Sequence, residues 1–208
     1  MKKLLPLFVL AMVCLSSLKL ASADLIVEFS DGVTTGTAFN ADVGTTVVFS
    51  VFVTETGGNT ELSTDGLIGF GLTGNYSATS GTAAVVSNVA IDPAFDTATD
   101  TDFSSTAFDL AGVDVDFAGD GSPMGSSIRL GSVSVDVTGI GVTQFVLEDY
   151  SPLSDFVTPS VVDLDPTIFA GGRNFSFTVN AVGVPEPASA AVLGCVGIGM
   201  LLRRRKQN

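Results

Sequence analysis

Three aspartates in the middle of the chain offer the oxygen ligands that a hard cation prefers. Asp114 and Asp116 alternate, so that on a strand both would point to one face, and Asp120 precedes a glycine that could turn the chain back. This grouping predicts a structural calcium site. It is a poor match to the helix-loop-helix calcium loop, because Ala118 stands where a further oxygen ligand is needed and the later glutamate is missing.

A second acidic group follows a different pattern, because its aspartates are interleaved with proline, alanine and threonine. Such polar stretches usually form solvated loops on the protein surface. We therefore expect a loop here, in which calcium could also relieve the mutual repulsion of the carboxylates. The members of this group are Asp92, Asp96, Asp100 and Asp102.

Histidine and tryptophan are absent from the chain. The absence of histidine excludes Ser-His-Asp and Cys-His catalytic sites, and also zinc and haem sites built on imidazole. A pair of carboxylates could still act as in glycoside hydrolases. Sugar-cleaving sites usually present aromatic platforms, yet only two tyrosines are present, and the phenylalanines mostly alternate on strand faces. The sequence therefore predicts a protein that is not an enzyme, with a carboxylate-pair hydrolase as the least favoured alternative.

The charges are unevenly distributed along the chain. All 22 acidic residues lie between Asp24 and Glu186, a stretch that contains only two cations, Arg129 and Arg173, and so carries a net charge of −20. A body of that sign repels phosphate backbones, which excludes nucleic acid as a partner. We expect each arginine to pair with neighbouring carboxylates.

Residues 1–23 have the order of a secretory signal peptide, with a basic start, an apolar run over Leu4–Leu15 and small residues at Ala21 and Ala23. This order predicts export through the Sec machinery and cleavage by signal peptidase before Asp24. A retained membrane anchor is the alternative, but the apolar run is short for the roughly 20 residues that a spanning helix needs.

The other end, residues 184–208, has three parts in order. The motif Pro185-Glu186-Pro187 is followed by an apolar run over Ala188–Leu202 and a basic cluster. This tail resembles the PEP-CTERM sorting signal of bacterial envelope and exported proteins, which implies a short transmembrane helix, temporary anchorage with a cytoplasmic C-terminus, and cutting by an exosortase near the motif. An ordinary C-terminal anchor would give the same topology without the cut. The cluster consists of Arg203, Arg204, Arg205 and Lys206.

Both cysteines, Cys14 and Cys195, lie in these two ends. The body over residues 24–183 can therefore form no disulfide and must be stabilised by its core. Its length suits a single domain.

The body is predicted to be all-β. Apolar residues alternate with a period of two in several runs, and glycine-containing turn signals separate them, which is typical of an antiparallel β-sandwich. In the strand over Thr45–Val53, we expect Val47, Phe49, Val51 and Val53 to share one face. The turn signals include Asp31-Gly32, Gly57-Gly58-Asn59, Gly74-Asn75, Asp120-Gly121 and Gly171-Gly172. The other predicted strands are Leu25–Phe29, Leu67–Leu72, Ala83–Ala90, Ala107–Val115, Ile128–Val137, Thr143–Glu148 and Asn174–Val179.

The order of these segments resembles cohesin-like and related carbohydrate-binding jelly-roll sandwiches. The resemblance is carried by Val43–Val47 leading into a long strand, by Asp65–Phe70 ahead of the loop at Asp92-Pro93, and later by Ile128–Val135 and Gly141–Leu147. It implies the sandwich fold more than a function, and its functional counterpart would be a carbohydrate- or protein-binding module.

Two functions of different classes follow. The first is an exported, exosortase-sorted envelope or extracellular-matrix protein that is associated with polysaccharide or biofilm. The alternative is a cohesin-like carbohydrate- or protein-binding module whose loops are ordered by calcium.

Overall fold

The computed structural model describes residues 24–81, 84–115, 123–150 and 155–183. These residues form ten strands and two helices of four residues each. The strands are β1 (Asp24–Ser30), β2 (Ala38–Asp42), β3 (Thr46–Thr56), β4 (Gly69–Gly81), β5 (Ala84–Ile91), β6 (Thr97–Asp100), β7 (Ala107–Val113), β8 (Ser127–Val137), β9 (Gly141–Asp149) and β10 (Phe175–Val182), and the helices are α1 (Glu61–Thr64) and α2 (Asp165–Ile168).

The strands form two sheets packed face to face. One sheet has the order β1-β3-β8-β5, and the other has the order β2-β10-β9-β4-β7-β6. Neighbouring strands are antiparallel except β2 and β10, which run parallel. The predicted all-β sandwich is therefore confirmed.

The alternation along β3 shows why the chain folds in this way. Phe49, Val51 and Val53 are buried against the other sheet, whereas Ser50 and Phe52 point outward and are half-buried. The same two-residue period is the geometry of a strand with one face in the core and one in water. The predicted apolar face of this strand is confirmed.

Aromatic rings fill the middle of the core. The rings of Phe145 and Phe177 stack with their centroids 4.6 Å apart, and Phe177 also lies 4.9 Å from Phe49 of the opposite sheet. Such pairs add about 0.5–1.5 kcal/mol each beyond the burial of their area. This aromatic cluster joins the two sheets in a body that has no cysteine.

The turn predicted at Gly74-Asn75 is wrong, because β4 runs straight through both residues. Gly74 is paired with Phe108 of β7, and a Cβ added at Gly74 would lie 2.1 Å from the Cζ atom of that ring. The glycine therefore makes room for the buried Phe108 ring on the core face of the sheet.

A β-bulge in β8 lets apolar residues that are an odd number of positions apart point to the same face of the sheet. Val51 pairs with Gly131, but Phe52 pairs with Arg129, which leaves Leu130 as the extra residue. Leu130 and Val133 are three positions apart, yet both are buried. The bulge shifts the alternation by one residue and keeps both side chains in the core.

The two ends of the sandwich differ in charge. At one end, β1 begins opposite the end of β3, and β4 begins opposite the end of β7. We call it the acidic end, because it collects Asp24, Glu55, Glu61, Asp65, Asp114, Glu148, Asp149, Asp155, Asp163 and Asp165. The opposite end, which we call the tail end, contains the turns from β2 to β3 and from β8 to β9 and the last residues of β10.

Within residues 24–183, the described part of the chain contains no helix that is long and apolar enough to cross a bilayer. The predicted signal peptide and the tail at 184–208 lie outside the described residues.

Candidate functional site

The predicted calcium ligands are only partly described. Asp114 follows β7 directly, is 3% exposed, and its backbone N–H donates to the Ile68 carbonyl at 2.8 Å. Asp116 and Asp120 lie outside the described residues, so the calcium site stays a prediction. Among the residues that the structure describes, no three acidic, cysteine or histidine side chains are grouped to hold a metal ion.

Of the residues predicted for export and sorting, the structure describes Asp24 alone. Ala21, Ala23, the motif at 185–187 and the basic cluster at 203–206 lie outside the described residues. Asp24 begins β1, and its carboxylate accepts a hydrogen bond from Arg173 Nη2 at 2.6 Å. Arg173 Nη1 also donates to the Leu25 carbonyl at 3.3 Å, which ties the first residues of β1 to the segment before β10.

The prediction of a solvated loop over 92–102 is wrong in part, because β6 lies within it and pairs with β7. Asp92 forms a salt bridge with Arg129, in which Oδ2 lies 2.9 Å from Nη1. Asp100 accepts a hydrogen bond from the Tyr150 hydroxyl at 2.9 Å. The expected pairing of both body arginines with carboxylates is confirmed.

A pocket of about 290 Å³ lies on the outer face of the six-stranded sheet at the acidic end. Gly69 and Ala111 line its base, and Tyr150 and Asp155 stand beside them. A Cβ added at Gly71 would lie 2.9 Å from Tyr150 Cβ and 3.0 Å from Asp155 Oδ2. The absence of a side chain at Gly71 therefore lets both residues approach the sheet.

The pocket carries one phenol close to several carboxylates. Tyr150 donates its hydroxyl proton to Asp100, and this hydrogen bond raises the pKa of Tyr150, with smaller contributions from the negative charges of Asp100, Asp109 and Asp155. The phenol is therefore neutral and a donor at physiological pH. The pocket combines an apolar base with groups that accept hydrogen bonds.

Asp165 holds the segment that brings Asp155 to the pocket. Its Oδ2 accepts the backbone N–H of Asp155 at 2.7 Å, and its Oδ1 accepts that of Phe156 at 3.1 Å. Burial raises the pKa of Asp165 to about 6, and the charges of Asp149 and Asp163 add to this effect, while the two backbone hydrogen bonds oppose it.

The outer face of the four-stranded sheet presents a second candidate surface, which we call the Phe52 face. It is formed by Ile26, Glu28, Val48, Phe52 and Arg129 with the serines between them. Phe52 lies directly opposite Arg129 on the neighbouring strand. Arg129 Nε donates to Ser50 Oγ at 3.2 Å, so the guanidinium is held between Ser50 and Asp92.

The outward face of the six-stranded sheet differs from the Phe52 face in composition. Its central positions carry uncharged hydroxyl and amide side chains, with Ser77, Gln144 and Thr178 side by side across three strands. At these described central positions, no aromatic ring stands beside an arginine, the combination that is enriched at protein interfaces.

Sequence reasoning missed both surfaces as sites. The signal for the Phe52 face was present, because a period of two in Thr45–Val53 places Phe52 on the face opposite Phe49. No local signal could have joined Tyr150 to Asp100, which is 50 residues away along the chain.

Comparison with known proteins supports the fold. No protein-family model and no curated protein matches the chain. Among solved structures, CaCohA2 from Clostridium acetobutylicum has a TM-score of 0.51 and 12% identity, over 76% of this chain and 91% of that chain. The sixth cohesin of scaffoldin B from Acetivibrio cellulolyticus, in complex with a Cel5 dockerin, has a TM-score of 0.48 and 11% identity, over 77% and 99% of the two chains. A type III cohesin module from the ScaE cell-surface anchoring scaffoldin of Ruminococcus flavefaciens has a TM-score of 0.49 and 10% identity, over 79% and 92%.

The TM-scores of the last two modules lie below 0.5, so the comparison of folds depends on the first. The body of this chain has a cohesin-like β-sandwich fold. At these identities, the likeness concerns the fold alone, since one fold serves many functions.

Proposed function

We propose that this protein is an exported, non-enzymatic module of the cell envelope or extracellular matrix that binds a protein partner through the Phe52 face. The observation that carries this proposal is the outward-facing pair of Phe52 and Arg129 on the long neighbouring strands β3 and β8. The Acetivibrio cohesin forms a complex with a dockerin. For this chain, a partner is inferred from its own surface.

The composition of the Phe52 face supports a protein partner. Interface hot spots are enriched in aromatic residues and arginine, and they lie among contacts that exclude water. On β1, Glu28 lies directly opposite Phe52, and the half-buried Ile26 lies two residues away on the same strand as Glu28. Val48, which is 48% exposed, lies four residues before Phe52 on β3. The serines between them are small enough for a partner to approach the sheet closely. The net charge of the body favours a basic partner, because opposite charges speed association.

The PEP-CTERM-like tail supports the proposed location. After export, the apolar run over Ala188–Leu202 would hold the protein in the membrane, and an exosortase would cut near Pro185-Glu186-Pro187. The intact mass of the protein recovered from cells tests this part of the proposal. We expect a chain that begins at Asp24 and ends near the motif. Recovery of the uncut chain in the cytosol would contradict it.

A second candidate ligand is extracellular polysaccharide, which the pocket beside Tyr150 favours. Sugar hydroxyls can donate to carboxylates such as that of Asp155, while the apolar base over Gly69 and Ala111 suits the faces of a sugar ring. Saturable binding of a purified polysaccharide that Tyr150→Ala abolishes would support this candidate. Unchanged binding by that variant would remove it.

Site-specific photocrosslinking tests the Phe52 face directly. A photoreactive residue replaces Val48 on that face, or Ser77 on the outer face of the other sheet as the matched control. We expect a crosslinked envelope protein from position 48 and none from position 77. In the purified pair, Phe52→Ala or Arg129→Ala should weaken binding by about 30-fold, which corresponds to a hot-spot loss of about 2 kcal/mol.

Two results would overturn the proposed surface. One is equal crosslinking from positions 48 and 77. The other is an affinity for the crosslinked protein that neither Phe52→Ala nor Arg129→Ala changes, although both variants unfold at the wild-type temperature.

A further inference from the structure

The body ends very close to the apolar part of the tail. The last described residue is Gly183, directly after β10, and the apolar run begins at Ala188. Only four residues lie between them, and even a fully extended chain places Ala188 no more than about 18 Å from Gly183. If the tail is anchored as proposed above, the tail end of the sandwich must therefore face the membrane at short range.

Two apolar side chains are exposed at this end. Ile140, in the turn between β8 and β9, is 65% exposed, and Val182, at the end of β10, is 45% exposed. A Cβ added at Gly183 would lie 3.2 Å from Ile140 Cδ1. Ile140 therefore stands beside the point where the chain leaves the sandwich.

Close backbone contacts around the turn keep Ile140 exposed. Gly81 and Gly141 pack backbone against backbone, since a Cβ at Gly81 would lie 2.1 Å from the Ile140 carbonyl oxygen. Both glycines have positive φ angles, of 70° and 152°, which favour glycine. The neighbouring turn is fastened as well, because Val43 N–H donates to the Val182 carbonyl at 3.0 Å. The turn cannot fold Ile140 into the core without breaking these contacts.

The distribution of carboxylates between the two ends of the sandwich also favours the tail end as the one that faces the membrane. Among the described residues on the tail side, Asp42 and Asp136 are charged beside the two turns and Asp31 follows the end of β1, whereas ten carboxylates lie at the acidic end. Bacterial and other membranes that carry anionic lipid repel carboxylates within a Debye length. The end nearest the tail is thus the one that an anionic surface repels least.

From this geometry we propose that the tail end rests on the lipid surface while the tail is uncut, with Ile140 and Val182 at the headgroup boundary. The acidic end then points away from the membrane. The Phe52 face lies roughly perpendicular to the bilayer plane, where a partner can reach it from the side. The sorting motif falls in the short connection between sandwich and bilayer. The proposal rests on the anchoring proposed above.

Lipid quenching in vesicles tests this orientation on the full chain. The body contains no cysteine, so single cysteines can be placed in a chain in which Cys14 and Cys195 are replaced by serine. Ile140→Cys reports the tail end. Met124→Cys is the matched control, because Met124 is 58% exposed and its neighbour Gly125 contacts α1 at the acidic end. Each cysteine carries the same fluorophore, in vesicles of phosphatidylethanolamine and phosphatidylglycerol that contain a headgroup nitroxide lipid.

We expect several-fold stronger quenching at position 140 than at position 124. In a further variant, Ile140→Asp should lower the quenching of a label at Thr45, an exposed residue in the adjacent turn of the same end. Equal quenching at 140 and 124, or an unchanged signal at position 45 in the Ile140→Asp variant, would overturn the orientation.

A third label separates this inference from the anchoring on which it rests. A chain that keeps native Cys195 as its only cysteine reports whether the tail enters the bilayer, through quenching by a lipid with a nitroxide deep in its acyl chain. If Cys195 is quenched but positions 140 and 124 are equal, the tail is anchored and the orientation is wrong. If Cys195 is not quenched, the anchoring fails, and the orientation fails with it.

Discussion

Replacing Asp165 by asparagine should remove a pH-dependent contribution to the stability of the sandwich. The pKa of Asp165 is raised to about 6, chiefly because its carboxylate is buried and secondarily because Asp149 and Asp163 are close. An unfolded aspartate titrates near 3.8. Between these two values the folded protein binds a proton that the unfolded chain does not bind. The free energy of unfolding therefore rises as the pH falls from 7 towards 4, and this contribution is lost as the pH rises through 6.

The magnitude follows from the pKa difference. Each pH unit below 6 contributes at most about 1.4 kcal/mol, so that lowering the pH from 7 to 4.5 adds no more than about 2 kcal/mol. Partial access of solvent to the carboxyl group reduces this to about 1–2 kcal/mol. For a body of this size, we expect the unfolding temperature of the wild type to rise by about 2–8 °C relative to the variant.

Calorimetric unfolding of the wild type and Asp165→Asn at a series of pH values measures this difference. Asparagine keeps one acceptor for the backbone N–H groups of Asp155 and Phe156, so the variant should be folded but should lack the rise. Asp42→Asn is the control, because Asp42 is exposed on β2 at the opposite end. Parallel pH profiles for the wild type and Asp165→Asn would refute the reasoning.

Three further predictions concern the stability of the body: two test the packing of glycines and one tests an ion pair. Gly74→Ala should destabilise the body by about 1–3 kcal/mol, because the new methyl group meets the buried Phe108 ring, and the second change Phe108→Leu should restore part of the loss in urea unfolding. Gly131→Ala should lower the free energy of unfolding by at least as much, because its Cβ would lie 2.4 Å from the Ala90 carbonyl oxygen of β5. Gly36→Ala is the control: its Cβ meets no atom within 4 Å, so the urea midpoint should change little. Equal midpoints for these three glycine variants would contradict both predictions. Arg173→Ala should cost about 1 kcal/mol or less at low salt and still less at high salt, and an effect independent of salt would speak against the ion pair.

The sheets could be predicted from sequence where burial alone decides the structure. Strands β3 and β8 are long and rich in valine, and their alternation identified the core face directly. Strand β2 escaped prediction because it is five residues long and carries Asn40 and Asp42 on its outward positions. It forms only through parallel pairing with β10, whose residues lie about 140 positions later, and such pairing leaves no local pattern.

The glycines show a second limit of sequence reasoning. Gly32 and Gly74 look equally like turn residues, each next to a polar residue. Gly32 does adopt a positive φ angle of 86° in a turn, whereas Gly74 lies within a strand under an aromatic ring. The difference depends on Phe108, more than 30 positions away, and so could not be predicted from the neighbouring residues.

The candidate site was less predictable than the fold, because its members meet through long-range contacts. Tyr150 and Asp155 come together over Gly71, and Asp165 orders the segment between them and α2 through two backbone hydrogen bonds. Aspartates are common in this chain, and composition cannot single out Asp165 and Asp114 as buried. The Phe52 face was more accessible to prediction, since an aromatic residue in the outward phase of a long strand is itself unusual.

The edges of the four-stranded sheet explain why a partner would use its face instead of adding a strand. Along β5, the backbone N–H groups of Ala84 and Val86 donate to the side chains of Thr143 and Tyr76, which come from the other sheet. Along β1, the Leu25 carbonyl accepts from Arg173, and the Phe29 carbonyl accepts from Gly36. These contacts occupy several of the backbone groups that an added strand would need. The edges of the six-stranded sheet, β2 and β6, are only five and four residues long, and short edge strands discourage pairing. If the body binds a protein as proposed, these edges leave the faces for the partner, and the face with an aromatic ring beside an arginine suits it better.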